Sequence, residues 1–390
     1  MSDHSPTTIA QPIFAGVLAS IVGFASSFAI VLQGFAAVGA TAEQAASGLF
    51  ALTLAVGLLG IVLALLTKMP ITIAWSTPGA ALLISTGMVE GGFPAAIGAF
   101  IAAGALIVVA GLWRPFGRAV SSIPMPLASA MLAGILFNLC LAPVRALSEM
   151  PLATLPIILI WAIALRFARL WAVPLAVLAT GLIIGLTTPL PEGALNAIWP
   201  APVLIVPGFS LDAMVGIAIP LFVVTMASQN IPGLTVLRSN GYAPEVRPIF
   251  ISTGLVSMVI AALGAHLVNL AAITAALCAG PEAGADKTKR YIAVVSGGIF
   301  YIILALGAGF AAAFVAAAPP LLIEAVAGLA LMSSLAGALM GAMADDDLRL
   351  PAIVTFVTAA SGLTIFGIGA AFWGLVAGGA LLALLRIERA

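Results

Sequence analysis

The polar residues that interrupt the apolar runs of this chain are hydrogen-bonding groups rather than nucleophiles. Ser76-Thr77-Pro78-Gly79 follows the β-branched stretch Ile71-Thr72-Ile73, and Asn269 divides His266–Gly280 into two short apolar pieces. Gln33 and Gln229 stand near the ends of two further apolar runs. Hydroxyls, carboxamides and backbone N–H groups bind and orient a small polar solute; they do not make or break bonds. His266 and Glu324 also lie inside apolar runs, where ionisable groups are costly and default to functional roles. They are the candidates for moving a proton, although each also fits an interfacial residue satisfied by its neighbours. The sequence has no HExxH and no aspartate-rich metal motif within an apolar run, so no enzyme chemistry, metal or cofactor is expected. Asp345-Asp346-Asp347 reads as a solvated loop, and Cys140 and Cys278 as small buried side chains.

The elements that must position these residues are membrane spans. Of 390 residues, 63% are hydrophobic and only 7% charged, with a mean hydropathy of +1.25. A soluble globular domain carries roughly 25% charged residues. Fourteen acidic and fourteen basic residues, with no net charge, exclude a soluble enzyme, a disordered chain and a nucleic-acid binder. Unbroken apolar runs also exclude an outer-membrane barrel, whose strands alternate apolar and polar residues. The first run, Ile13–Val38, is too long for a signal-peptide core and lacks a basic leader, so it reads as a span.

Charges and Pro and Gly clusters predict helices near 13–38, 44–66, 93–112, 121–141, 151–167, 171–187, 212–230, 244–264, 291–310, 318–343, 351–367 and 369–385. The broken segments Met69–Gly87 and His266–Gly280 bring the count to fourteen, an all-α integral membrane fold. With both termini in the cytoplasm, thirteen of the fourteen Lys and Arg residues fall inside, Arg114, Arg118 and Arg389 among them, and only Arg145 outside. Cytoplasmic loops carry such an excess, which supports fourteen spans with both termini inside; the bacterial inner membrane is the expected location.

Pro126-Leu127…Ala133-Gly134 has a counterpart 194 residues later in Pro320-Leu321…Ala327-Gly328, and Gln33 and Gln229 are 196 apart. The broken segments are third and tenth. Seven spans per copy is odd, so the second copy is inverted, the pattern of secondary transporters with a midplane site. Extended backbone at that depth is tolerable only beside protein or a wet cavity. Ser76 or Thr77 can cap the half-helix that starts near Pro78, and Asn269 can cap its counterpart. Two facing helix N-termini attract an anion without a buried Lys or Arg. Thr77, Gly79 and Asn269 are then expected to turn backbone N–H groups towards a carboxylate. The alternative is that Ser76, Gly79 and Asn269 merely allow close helix packing, and that Gln229 hydrogen-bonds between helices. Phe24, Phe28, Trp75 and Met226 are candidate walls for an apolar ring.

The stretches QPIFAGVLASIVGFASSFAIVLQG, PITIAWSTPGAAL, MASQNIPGLTVLRSNGY and GAHLVNLAAITAALCAGPEAG carry a resemblance from Gln11 to Leu385. The chain resembles the benzoate membrane transport (BenE-type) family, part of a wider group with nucleobase and sulfate-type anion transporters. The resemblance implies a seven-plus-seven inverted repeat with a core domain (1–112 and 201–310) and a gate domain (113–200 and 311–390). It implies proton-coupled symport of benzoate or a similar aromatic carboxylate into the cytoplasm. The alternative is another small anion or a neutral, nucleobase-like ring. Ser228-Gln229-Asn230-Ile231 is similar to the nucleobase-transporter motif in which a glutamate and a histidine precede an isoleucine, which places Gln229 and Asn230 at the substrate. Val268-Asn269-Leu270 is similar to that group's Glu-Asn-Ile, so both of its carboxylates are missing. The expected partners are the carboxylate, protons and the lipid bilayer, with no nucleic acid; a homodimer is left open.

Overall fold

The computed structural model describes residues 9–113, 115, 124–187, 199–271, 273–366 and 368–387. Arg114, Arg118, Arg389 and the start of the span expected at 121–141 lie outside these. The first half runs α1 (Ala10–Ala25), α2 (Phe28–Ala37), α3 (Ala42–Thr67), β1 (Ile73–Trp75), α4 (Thr77–Thr86), α5 (Gly92–Leu112), α6 (Met125–Cys140), α7 (Ala142–Glu149), α8 (Pro151–Phe167) and α9 (Ala172–Thr187). The second half runs α10 (Leu211–Ser239), α11 (Val246–Ala261), β2 (Val268–Leu270), α12 (Ile273–Ala279), α13 (Tyr291–Leu306), α14 (Ala308–Ala317), α15 (Pro320–Ala342), α16 (Arg349–Ala360) and α17 (Ala370–Ile387). Between α16 and α17 lies a hairpin of β3 (Thr364–Ile365) and β4 (Ile368–Gly369).

Eight helices among the described residues are long and apolar enough to cross a membrane. Large apolar side chains point outward from these and from the shorter α8 and α11, with Leu66, Leu152, Leu186 and Val259 all more than two-thirds exposed. In water such a surface would aggregate; in a bilayer it is the ordinary lipid-facing exterior. The protein is a multi-pass, mostly helical membrane protein.

Helices pack closely where two glycines meet. A Cβ on Gly57 of α3 would come 2.6 Å from the carbonyl oxygen of Gly298 on α13, and one on Gly298 2.7 Å from that of Gly57. Gly104 of α5 and Gly254 of α11 meet in the same reciprocal way, at 3.0 and 2.7 Å. Between lipid-soluble helices, close backbone approach replaces the hydrophobic effect as the source of attraction.

Four expected spans differ, one of them at 291–310, which breaks at Gly307 between α13 and α14. The first span breaks at Ser26-Ser27, whose hydroxyls both donate to Gly23 O, at 3.1 and 2.9 Å. Hydroxyls that take up backbone carbonyls in this way bend helices. The span expected at 212–230 continues to Ser239, and it widens into π-helical turns at Met214–Ala218 and Met226–Asn230. Each turn directly precedes an Ile-Pro pair, Ile219-Pro220 and Ile231-Pro232. A proline removes an N–H and crowds the turn before it, and widening to a π-turn relieves both. The helix expected through 367 stops at Ala360, because Ser361-Gly362 and the β-branched residues after them form the β3–β4 hairpin. Phe366, at φ 53°, sits in its turn.

Candidate functional site

β1 and β2 pair antiparallel, with Ile73 opposite Leu270, Ala74 opposite Asn269 and Trp75 opposite Val268. Ser76 N donates to Leu267 O (3.3 Å) and Ala271 N to Thr72 O (2.9 Å), which extends the pairing at both ends. Two extended segments thereby satisfy one another's backbone groups where neither water nor helix could. The other edge of β2 is closed by side chains. Val268 N donates to Ser257 Oγ of α11 (3.0 Å), and Leu270 N to Asn230 Oδ1 of α10 (3.0 Å). The Asn230 amide is thus committed to the chain itself, since its Nδ2 also donates to Met226 Sδ (3.3 Å). Its place in the site is to hold β2, and the π-turn aims it there.

Ser76 caps α4 as the motif predicts, its Oγ accepting from Gly79 N at 3.1 Å. Pro78 falls one position later than expected, at the second helical residue, where its missing N–H is still harmless. The same Ser76 Oγ accepts from Thr225 Oγ1 of α10 (2.8 Å), a fully buried partner the sequence reading missed. The Gly79 N–H, expected to face a ligand, is therefore already used. A Cβ on Gly79 would lie 2.5 Å from Leu221 Cδ1, so this glycine admits α10 rather than a solute. Thr77 and Ala74, both half-buried, are the residues of this segment that face open space.

Asn269 does not cap α12. It lies inside β2, and its Nδ2 donates to Leu270 O at 2.8 Å. Its Oδ1 is fully buried with no hydrogen-bond partner among the described residues. Gln229 is buried on the π-turn beside Asn230, its amide without a partner among the described residues. Gln33 is half-buried on α2, next to the Gly34–Ala80 contact with α4.

The aromatic candidates come together. Phe24 and Phe28 flank the break in the first span and stack with centroids 5.2 Å apart. Trp75 meets the Phe24 edge at 6.0 Å, and its Nε1 donates to Ser27 Oγ at 2.9 Å. Tyr301 of α13 continues the cluster at 5.9 Å from Trp75; as a single tyrosine in an apolar run, it gave no spacing signal. Met226 is buried, held by the Asn230 amide.

The two ionisable candidates part company. His266 is fully buried, its ring between Phe35 (5.5 Å) and Phe100 (6.3 Å). Its Nδ1 lies 3.2 Å from Leu267 O, which can only accept, and its Nε2 has no hydrogen-bond partner among the described residues. Glu324 lies inside an apolar span, where the sequence left a proton-carrying and an interfacial role open. It is exposed, because on α15 Leu322, Ile323, Ala325 and Val326 take the buried face and turn it outward.

Paired strands within an apolar helical body, each leading into a short helix, make up a multi-pass membrane fold that solved anion transporters share. Among solved structures, the transmembrane domain of the cyanobacterial bicarbonate transporter BicA is similar over 95% of this chain and 97% of its own, at TM-score 0.58 and 14% identity. The murine Slc26a9 anion transporter in the inward-facing state is similar over 100% of this chain and 69% of its own, at TM-score 0.63 and 13% identity. The chain belongs to the BenE family, described as benzoate membrane transport protein, which matches residues 5–384. Inner membrane protein YdcO of Escherichia coli is 40% identical over 380 residues, 96% of each chain. The benzoate membrane transport protein of Acinetobacter baylyi is 33% identical over 373 residues, 93% of this chain and 92% of its own.

Proposed function

We propose that this protein is a secondary transporter that carries benzoate or a similar aromatic carboxylate into the cytoplasm together with protons. The observation that carries this reading is the composition of the site: amides, a hydroxyl and a helix N-terminus beside an aromatic cluster, with no carboxylate among them. Gln229 and Val268 stand where the nucleobase-type motifs have glutamates. An anion is therefore not repelled, and the partial positive charge at the start of α4 favours it. The rings of Phe24, Phe28 and Trp75 suit an apolar ring. Ser76, Asn230 and Gly79 support this site, while Thr77, Gln229 and Asn269 supply its contacts.

The transport architecture in this reading is fourteen crossings in two inverted repeats. The eight long helices, the shorter α8, α11, α16 and α17, and the two strand-plus-half-helix segments make up that number. The glycine crossings support the repeat, since α3 with α13 and α5 with α11 exchange places under its pseudo-two-fold. Packing of α6 against α15 and α16, apart from these pairs, supports a separate gate domain. The excess of basic residues on one side supports an inner-membrane location with both termini in the cytoplasm.

The alternative, a neutral nucleobase-like ring or another small anion, is decided by binding. Trp75 lies in the aromatic cluster, so tryptophan fluorescence of the purified protein should respond to benzoate and be indifferent to uracil and to acetate. A response to uracil alone would reject the carboxylate reading.

Importing a lone anion against an inside-negative potential costs about 2.3 kcal/mol per 100 mV, and co-transported protons remove that cost. We assign the proton to His266, three residues from Asn269 and with an unpartnered Nε2. His266→Ala should lose accumulation yet keep benzoate counterflow, while Glu324→Gln should keep both. Accumulation by both variants would leave the substrate's own carboxyl as the proton carrier.

A further inference from the structure

A cavity opens beside the site and continues to one end of the helical body. α10 lines it along successive turns, from Met226 through Leu234 to Arg238. Met226 shares its π-turn with Gln229 and Asn230. Arg238, twelve residues on, lies roughly 18 Å further along the helix. The mouth is formed by the last residues of α5, the first of α6 and the start of α11, including Arg247 and Phe250. The inner walls are apolar. At the mouth stand Arg238, Arg247 and Glu245, all exposed. Neither arginine forms an ion pair among the described residues.

We propose that this cavity is the inner vestibule and that Arg238 and Arg247 form a second, transient station for the substrate carboxylate at its cytoplasmic mouth. The inference rests on the aromatic-carboxylate reading of the midplane site. That site has no cationic side chain, so among the described residues these guanidinium groups are the first full positive charges an anion leaving Gln229 meets on this path. An apolar wall with a cationic rim matches a ring that carries one carboxylate, and Glu245 beside the arginines keeps the attraction weak enough for release. The station would draw the anion outward from the site and set the affinity of the cytoplasmic face alone. It differs from the midplane site in being open to solvent and therefore screened by salt.

The test uses the full chain in proteoliposomes of known orientation, with Arg238→Gln and Arg247→Gln made singly and together. Benzoate counterflow is measured from each face at low and high ionic strength. Each substitution should raise the half-saturating concentration at the cytoplasmic face about threefold and reduce its salt dependence, leaving the other face unchanged. Arg238→Lys should retain most of the effect, which separates charge from packing. Equal changes at both faces, or none, would overturn the station. An effect confined to vesicles containing phosphatidylglycerol, and lost in phosphatidylcholine, would assign the arginines to lipid headgroups and also overturn it. A wild type without any benzoate counterflow would instead fail the midplane reading on which the station rests.

Discussion

Replacing Gln229 with glutamate should abolish benzoate binding while leaving the protein folded and inserted. The exchange changes one amide nitrogen to oxygen on a buried side chain that has no hydrogen-bond partner among the described residues, so no existing hydrogen bond is broken and the fold bears only the desolvation of the new charge. The cost to an anion is large. Two like charges about 4 Å apart repel by about 4 kcal/mol at an effective dielectric of 20, or about a thousandfold in affinity. Binding should recover in part at low pH, as the introduced carboxyl takes up a proton and its charge is removed. Titration calorimetry of Gln229→Glu at two pH values checks both parts, and an unchanged dissociation constant at neutral pH would place the carboxylate elsewhere.

Asn230→Leu should produce the other large effect, by a different route. The substitution keeps the branching of the side chain but removes the acceptor of Leu270 N. A buried donor left without a partner costs about 1–3 kcal/mol, and here the donor fixes the edge of β2. Asn269, the next residue along, would move with it. Melting temperature should fall by several degrees, and benzoate transport should drop by about tenfold or more even where the protein is recovered folded. Ser257→Ala, which removes the parallel acceptor of Val268 N, should act in the same direction. Transport at the wild-type rate in Asn230→Leu would mean that β2 is held in place without this bond.

The half-helix of α4 was legible because Ser-Thr-Pro-Gly after β-branched residues is a local signal, and capping is a local interaction. Phe24 and Phe28 were legible for the same reason, one helical turn apart. Asn269 was misread as a cap because the strand carries on to Leu270 and turns the amide onto its own neighbour. The sequence places it beside a half-helix but does not say which backbone direction it follows. The two π-turns went unread, although Ile219-Pro220 and Ile231-Pro232 directly follow them, and the effect on Asn230 depends on where β2 arrives from 40 residues away. Thr225 and Tyr301 were invisible for that reason too, since each acquires its role from a partner in another segment. The exposure of Glu324 was not legible, because hydropathy of a span does not reveal which of its faces is buried.

Initial uptake of labelled benzoate into proteoliposomes with an imposed pH gradient tests the central claim most directly. With the outside acidic, the protein should accumulate benzoate well above empty liposomes and above vesicles holding Gln229→Glu. One proton per anion predicts about tenfold accumulation for each unit of pH difference, collapsed by a protonophore. Protein-dependent uptake that merely equilibrates, indifferent to the gradient and to the protonophore, would contradict proton-coupled symport, and no protein-dependent uptake would contradict benzoate as the substrate.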